Sequence, residues 1–157
     1  MTNKFNLEQL QDFIVKAKAA TYVGGGQKSL ARRPGSHDLE FHLDPFSYLD
    51  SYFGGSDFLG QEVVFFEGRA VWVMNYYGRI LEPEKILAAE AGRIIQESLS
   101  RMYQEGRFLG GFEHHTHGCT YTDTSQGDLT SFTGMEWITR EGLRVYELVY
   151  HGGLVKE

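Results

Sequence analysis

The residues with the most evident capacity for chemistry are His114, His115, His117 and Cys119, which fall within six positions. Imidazole and thiolate are good ligands for zinc or copper. On an extended strand side chains alternate, so His115, His117 and Cys119 share a face. Structural zinc sites, however, pair ligands across a turn at wider spacing, and no C-x-x-C or H-E-x-x-H completes a set. The expectation is a His-rich strand or loop without a metal, and no cofactor is assigned.

A second constellation carries more carboxylates. Strand alternation across two hairpins places Glu62, Val71, Asn75 and Tyr77 on one side of a sheet, with Glu136, Val145, Glu147 and His151 beside them and Asp38 and Glu40 nearby. A histidine next to a carboxylate suits general acid–base work. Carboxylates among ring faces also attract a cation. Glu62 and Glu136 occupy equivalent places in a repeat, which argues that they serve the shared fold. Asn75, Tyr77 and His151 differ from their counterparts and are the better candidates for a specific role. A nucleophile is hard to find: Gly-x-Ser-x-Gly is absent, and Cys119 with His117 is a bare dyad. The run Gly24-Gly25-Gly26-Gln27-Lys28-Ser29 approaches a P-loop, but Gln27 and Tyr22 stand where glycines are required.

The elements that position these residues follow from a repeat. Residues 58–80 and 132–154 align without a gap at an offset of 74, with eight of 23 positions identical: Phe58/Phe132, Gly60/Gly134, Glu62/Glu136, Glu67/Glu141, Gly68/Gly142, Val71/Val145, Tyr76/Tyr150 and Gly78/Gly152. Each copy reads as a β-hairpin turning at Glu-Gly, where glycine supplies a positive φ. A two-residue loop puts Val63, Phe65, Trp72, Met74 and Tyr76 on the core face. Tyr48-x-Asp50 is echoed by Tyr121-x-Asp123. Asn6 and Gln9 form a capping box for a helix that carries Leu7, Leu10, Ile14 and Ala17 to about Ala20. Pro83 at the first helical position opens a second helix, with Leu87, Ala91, Ile94, Ile95, Leu99 and Met102 inward and Gly106 as the stop. The reading is an α+β fold: one domain of two pseudo-repeat halves, about 6–81 and 82–157, sharing one curved antiparallel sheet with two helices on one face.

At 157 residues the chain is long enough for a core. A net charge of −6 without a basic run disfavours direct nucleic-acid binding, and one cysteine excludes an intramolecular disulfide framework. No signal peptide and no apolar run near 18 residues is present, so a cytoplasmic location without membrane insertion is expected.

Arg33-Pro34-Gly35-Ser36-x-Asp38-x-Glu40, Tyr48-x-Asp50, Met74-Asn75-Tyr76-Tyr77-Gly78 and His151-Gly152-Gly153 together resemble an uncharacterised bacterial domain family of unknown function. That family occurs alone or appended to helix-turn-helix regulators of the Xre type, and the resemblance spans about residues 13–156. It implies a bacterial cytoplasmic domain able to accompany a DNA-binding module. No helix-turn-helix precedes Asn6 here, and the histidine cluster is not part of the resembling motifs.

The first reading is a non-enzymatic, sensor-like module that binds a small molecule or a protein partner through Arg33, Asp38, Glu40, Tyr48, Glu62, Asn75, Tyr77, Glu147 and His151. The alternative is an enzyme with His151 as acid or base, oriented by Glu62 or Glu147. A third reading is a homodimer joined through Val64, Phe66, Val71 and Val73.

Overall fold

The computed structural model describes residues 5–23 and 27–157; the glycine run 24–26 lies outside them. Nine antiparallel strands form one curved, open sheet: β1 (Lys28–Ser29), β2 (His37–Leu43), β3 (Phe46–Gly54), β4 (Phe58–Phe66), β5 (Arg69–Ile80), β6 (Phe112–Thr116), β7 (Cys119–Asp128), β8 (Ser131–Arg140) and β9 (Leu143–Leu154). Their spatial order is β1-β2-β3-β4-β5-β9-β8-β7-β6. Helices α1 (Leu7–Lys18) and α2 (Ala88–Gln104) cover one face. A helix is thus followed by five antiparallel strands in the first run, of which β1 is two residues long, and by four in the second, and the two runs meet where β5 pairs with β9, Tyr76 opposite Tyr150.

α1 begins as its sequence dictates. The Asn6 side chain accepts from the Gln9 amide at 2.7 Å and the Gln9 side chain accepts from the Asn6 amide. Leu10, Phe13, Ile14 and Ala17 are buried, whereas Leu7 is exposed. After Lys18 the backbone widens into a π-helical turn at Ala19–Val23. α2 starts at Ala88, five residues beyond Pro83: the Glu82 carbonyl accepts from the Lys85 and Ile86 amides, closing a separate turn first. Leu87 consequently lies outside as the cap residue, and Ser98 joins Ala91, Ile94, Ile95 and Met102 inside. Gly106 ends the helix in the left-handed region as expected.

Both Glu-Gly turns are two-residue turns with positive φ at both positions, 48° and 80° at Glu67 and Gly68, 50° and 77° at Glu141 and Gly142. Immediately after each comes one residue too many. Phe65 pairs with Ala70 but Val64 pairs with Trp72, leaving Val71 as a bulge; Val145 is its equivalent in β9. The bulge carbonyls are not wasted: Val71 accepts from the Val155 amide at 2.9 Å and Val145 from the Leu81 amide at 2.8 Å. This single residue corrects the expected faces, because a one-residue slip turns every later side chain over. Glu62, Val64 and Phe66 share the helix-covered face with Trp72, Met74 and Tyr76, and Val63 and Phe65 point away. Val64, fully enclosed, and Phe66, packed on Phe5 and Phe46, are core residues and not a surface for a partner. Trp137 likewise lies outside, its ring under the Arg144 guanidinium at 4.3 Å.

Candidate functional site

Alternation along the strands delivers polar groups into the covered face at matching places in the two runs. On β3 and β4, Asp50 lies directly opposite Glu62; on β7 and β8, Asp123 lies directly opposite Glu136. All four are at most 6% exposed. Directly opposed like charges destabilise a sheet, so what surrounds them matters. Tyr48 donates to Glu62 and Tyr121 donates to Glu136. The Tyr76 hydroxyl donates to Asp50 at 2.6 Å, and the Tyr150 hydroxyl donates to Asp123 at 2.7 Å.

These last two bonds span a strand. Tyr76 stands on β5, Asp50 on β3, and β4 runs between them. Gly60, the cross-strand partner of Tyr76, lets the ring lie flat across β4; a β-carbon there would fall 2.5 Å from the Tyr76 hydroxyl oxygen. Gly134 does the same for Tyr150 between β9 and β7. The repeated Gly, Glu and Tyr of the sequence are therefore one device used twice.

The two versions differ in one respect. In the first, the Lys18 ammonium at the end of α1 bonds both oxygens of Glu62, at 2.9 and 3.0 Å, and lies over the Phe108 and Trp72 rings at 5.3 and 6.0 Å. In the second, Tyr146 donates to Glu136 at 3.0 Å; Trp72, its counterpart, turns its indole N–H to the Leu129 carbonyl instead. Lys18 is itself only 5% exposed.

Around these groups lies a cavity of about 540 Å³ between the sheet, the end of α1, the length of α2 and the 54–56 turn, open to solvent on one side. Its walls combine Asp50, Glu62, Asp123, Glu136 and Lys18 with the rings of Tyr22, Tyr52, Phe58, Tyr76, Tyr103 and Phe108. Burial, reinforced by Glu62, pushes the Asp50 carboxyl up to about 7, and burial with Glu136 pushes Asp123 up to about 7. Burial also raises Glu136. The tyrosine hydroxyls are driven upward by burial and by the adjacent carboxylates and remain protonated donors.

Of the residues singled out from sequence, Tyr48, Glu62 and Glu136 reach this cavity; the other proposed binding residues lie on the opposite, uncovered face. There Asp38, fully enclosed, is held below the usual carboxylate range despite its burial by hydrogen bonds from the Ser36 and Ser51 hydroxyls and the Arg32 amide. Arg33 donates to the Ser51 hydroxyl at 2.8 Å and covers the Phe53 ring. Glu40 pairs with Arg32. Asn75 accepts from Gln61 at 2.8 Å, Tyr77 lies beside the Arg79 guanidinium, and Glu147 pairs with Arg79 at 2.8 Å and Arg144 at 3.4 Å. His151 is exposed, across from Asn75. Glu62 and His151 thus face opposite sides of the sheet, and Glu147 stands four residues down the strand, about 13 Å away. The acid–base pairing expected for His151 has no geometric basis.

The histidine cluster is likewise taken apart. His117 and Gly118 form a tight turn with positive φ, so the strand does not continue through them. Cys119 is buried on the covered face, His115 points outward, and His114 and His117 reach Glu97 on α2 at 3.0 and 3.4 Å. Among the described residues no group of three or more His, Cys, Asp or Glu is placed to hold a metal. Among them, too, no helix is long and apolar enough to cross a membrane.

The residues that sequence reasoning passed over are Lys18, Asp50, Asp123 and Tyr146. Three carried a readable signal. Tyr48-x-Asp50 and Tyr121-x-Asp123 recur, and Lys18 stands four residues after Ile14 on the buried stripe of α1.

Residues 50–155 match the family described as "Domain of unknown function (DUF5680)". That span takes in all four carboxylates and ends short of α1 and Lys18 on the other side. No curated protein and no solved structure matches the chain.

Two outcomes follow from the geometry. Lys18→Met leaves Glu62 buried without its cation and should destabilise the fold by about 3–5 kcal/mol, whereas Lys18→Met with Glu62→Gln should recover most of that loss; urea unfolding of the two variants and the parent measures the coupling. The second concerns pH. A carboxyl that holds its proton more tightly in the folded chain stabilises the fold when protonated in both states and loses that contribution as pH rises from about 4 towards 7. Between pH 5 and pH 8 the parent's urea midpoint should therefore fall relative to that of Asp50→Asn/Asp123→Asn, and an offset that stays constant with pH would contradict the raised carboxyls.

Proposed function

We propose that this chain, which belongs to the DUF5680 family of domains of unknown function, is a binding domain that takes a small molecule into the cavity between the sheet and the helices. One observation carries this reading. A compact domain ordinarily closes its core, yet here about 540 Å³ is left open beside four buried carboxylates. That volume lies within the range of small-molecule sites, and the lining has their character: mostly rings and aliphatic groups, with a few convergent polar atoms. The carboxylates are engaged with tyrosines and, at Glu62, with Lys18. A sensor-like role in a bacterial cytoplasm, alone or beside a helix-turn-helix module, is the setting that the sequence motifs imply.

The experiment is a thermal-shift screen against a broad library of neutral, cationic and anionic small molecules, run in parallel on Gly92→Phe. Gly92 lies on α2 in the cavity wall, and a β-carbon there meets nothing within 4 Å. The new ring should fill the space, and replacing a helical glycine costs nothing in propensity. A ligand at a hundred times its Kd adds about 2.7 kcal/mol, on the order of 5–10 °C for a domain of this size. The expected result is a shift of that order in the parent that disappears in Gly92→Phe while the unliganded melting temperature is kept. Hits that persist in Gly92→Phe, or a screen without hits, would overturn the assignment.

A further inference from the structure

The charge and hydrogen-bonding capacity of the cavity narrow the kind of molecule that fits, an argument that rests on the binding role just proposed. Within the walls, four carboxylates face one buried ammonium, and that ammonium is already spent on Glu62. The cations nearest the rim are also engaged: Lys28 with His37 at 3.2 Å, and Arg107 with Glu105 and the Leu109 and Gly111 carbonyls. Every tyrosine hydroxyl bonded in the site donates to a carboxylate.

The capacity left over lies in two of the carboxyls and in the Tyr22 and Tyr103 hydroxyls. Asp50 and Asp123 are each 4% exposed, and each uses only Oδ1, for Tyr76 and Tyr150. No described residue bonds either Oδ2, and among the described residues no fully enclosed polar side-chain atom lacks a partner, so these oxygens open onto the cavity that both residues line. Beside them the Tyr22 and Tyr103 rings form part of the wall, and no described residue bonds their hydroxyls. An anion entering here meets four carboxyl groups and ring faces, with exposed Lys28 as the lining ammonium not paired with a carboxylate. A cation meets two carboxyls that ionise at about 7 and aromatic walls, and the ionised carboxyls and the ring faces both attract it. The fold supplies its own precedent, since the Lys18 ammonium lies between a carboxylate and two ring faces in the same space.

We infer that the cavity binds a small organic cation, a protonated amine on an aromatic or aliphatic body, with Asp50 or Asp123 taking the ammonium and the tyrosine rings taking the body. An ammonium of this kind supplies the N–H donors that the two Oδ2 atoms lack, and its body replaces water against Leu99, Met74 and Leu148. The two acceptor positions are equivalent in the repeat, so a diamine is accommodated by the same chemistry.

Isothermal titration of the full chain with matched probes tests the assignment. Benzylamine, phenethylamine and tryptamine are each compared with the alcohol and the carboxylic acid of the same skeleton. The expected result is that an amine binds at least tenfold more tightly than its alcohol, with the acid weakest. The preference should shrink at least tenfold in Asp50→Asn/Asp123→Asn, whose near-isosteric amides keep the packing, and the single variant Asp123→Asn serves should the double variant not fold. Alcohols or acids that match or exceed the amines would overturn the cationic assignment and leave the binding role standing. Amines that fail to bind while other classes in the broad screen do would overturn it equally. An amine preference that Asp50→Asn and Asp123→Asn leave untouched would remove the carboxyls from the site.

Discussion

Two pairs of carboxylates, each pair directly across a strand boundary and each sealed under the helices, are the constraint to which the rest of the molecule answers. At a separation of about 5 Å and an effective dielectric of about 20, a pair of full charges repels by roughly 3 kcal/mol. The structure relieves this in three ways. Burial and mutual repulsion hold protons on Asp50 and Asp123 to about 7. Tyrosines supply a donor to every carboxylate. Lys18 neutralises Glu62 directly. Glycines at 60 and 134 then become necessities, because the rings that reach Asp50 and Asp123 must cross a strand with no side chain in the way.

The remaining architecture is arranged so that this polar cluster does not collapse. The apolar core closes tightly around it, with Phe13 stacked on Phe46 at one end and Trp72 stacked on Phe132 near the junction of the two runs. The helices bring Ile14, Ile94 and Ile95 into the core, and the end of α1 and one side of α2 line the cavity beside the carboxylates. Directly opposed acidic pairs are a poor choice for stability alone, since apolar residues of similar volume would serve the fold as well or better. Their presence on both sides of the junction, facing open space, is what supports the proposal that the cavity is the functional part of the molecule.

Much of this was legible in the sequence. The capping box at Asn6, the Glu-Gly hairpin turns, the glycine stop at Gly106 and the α+β arrangement of two helices on one sheet all follow from local chemistry that tertiary contacts do not override. The site was half legible for a single physical reason. Alternation places a side chain only as far as the next bulge, and the extra residues Val71 and Val145 turned Glu62 and Glu136 from the expected outer face to the inner one. With them inward, equivalence in the repeat ceased to mean a merely structural role. The positions that differ between copies, Asn75, Tyr77 and His151, lie across the sheet from the cavity. The start of α2 was misjudged because Pro83 opens a turn as readily as a helix, and only the hydrogen bonds of the Glu82 carbonyl decide between them.

The most direct test is a carbon-13 titration of the carboxyl groups in protein labelled at aspartate, without ligand, from pH 3 to pH 9. The account predicts two aspartates with midpoints near 7, one lost in Asp50→Asn and the other in Asp123→Asn, standing apart from the surface aspartates, which titrate in the ordinary acidic range. If every aspartate in the parent titrates below about 5, the buried pairs are not held under the repulsion and burial described here, and the explanation of the tyrosines, the glycines and the cavity fails with them.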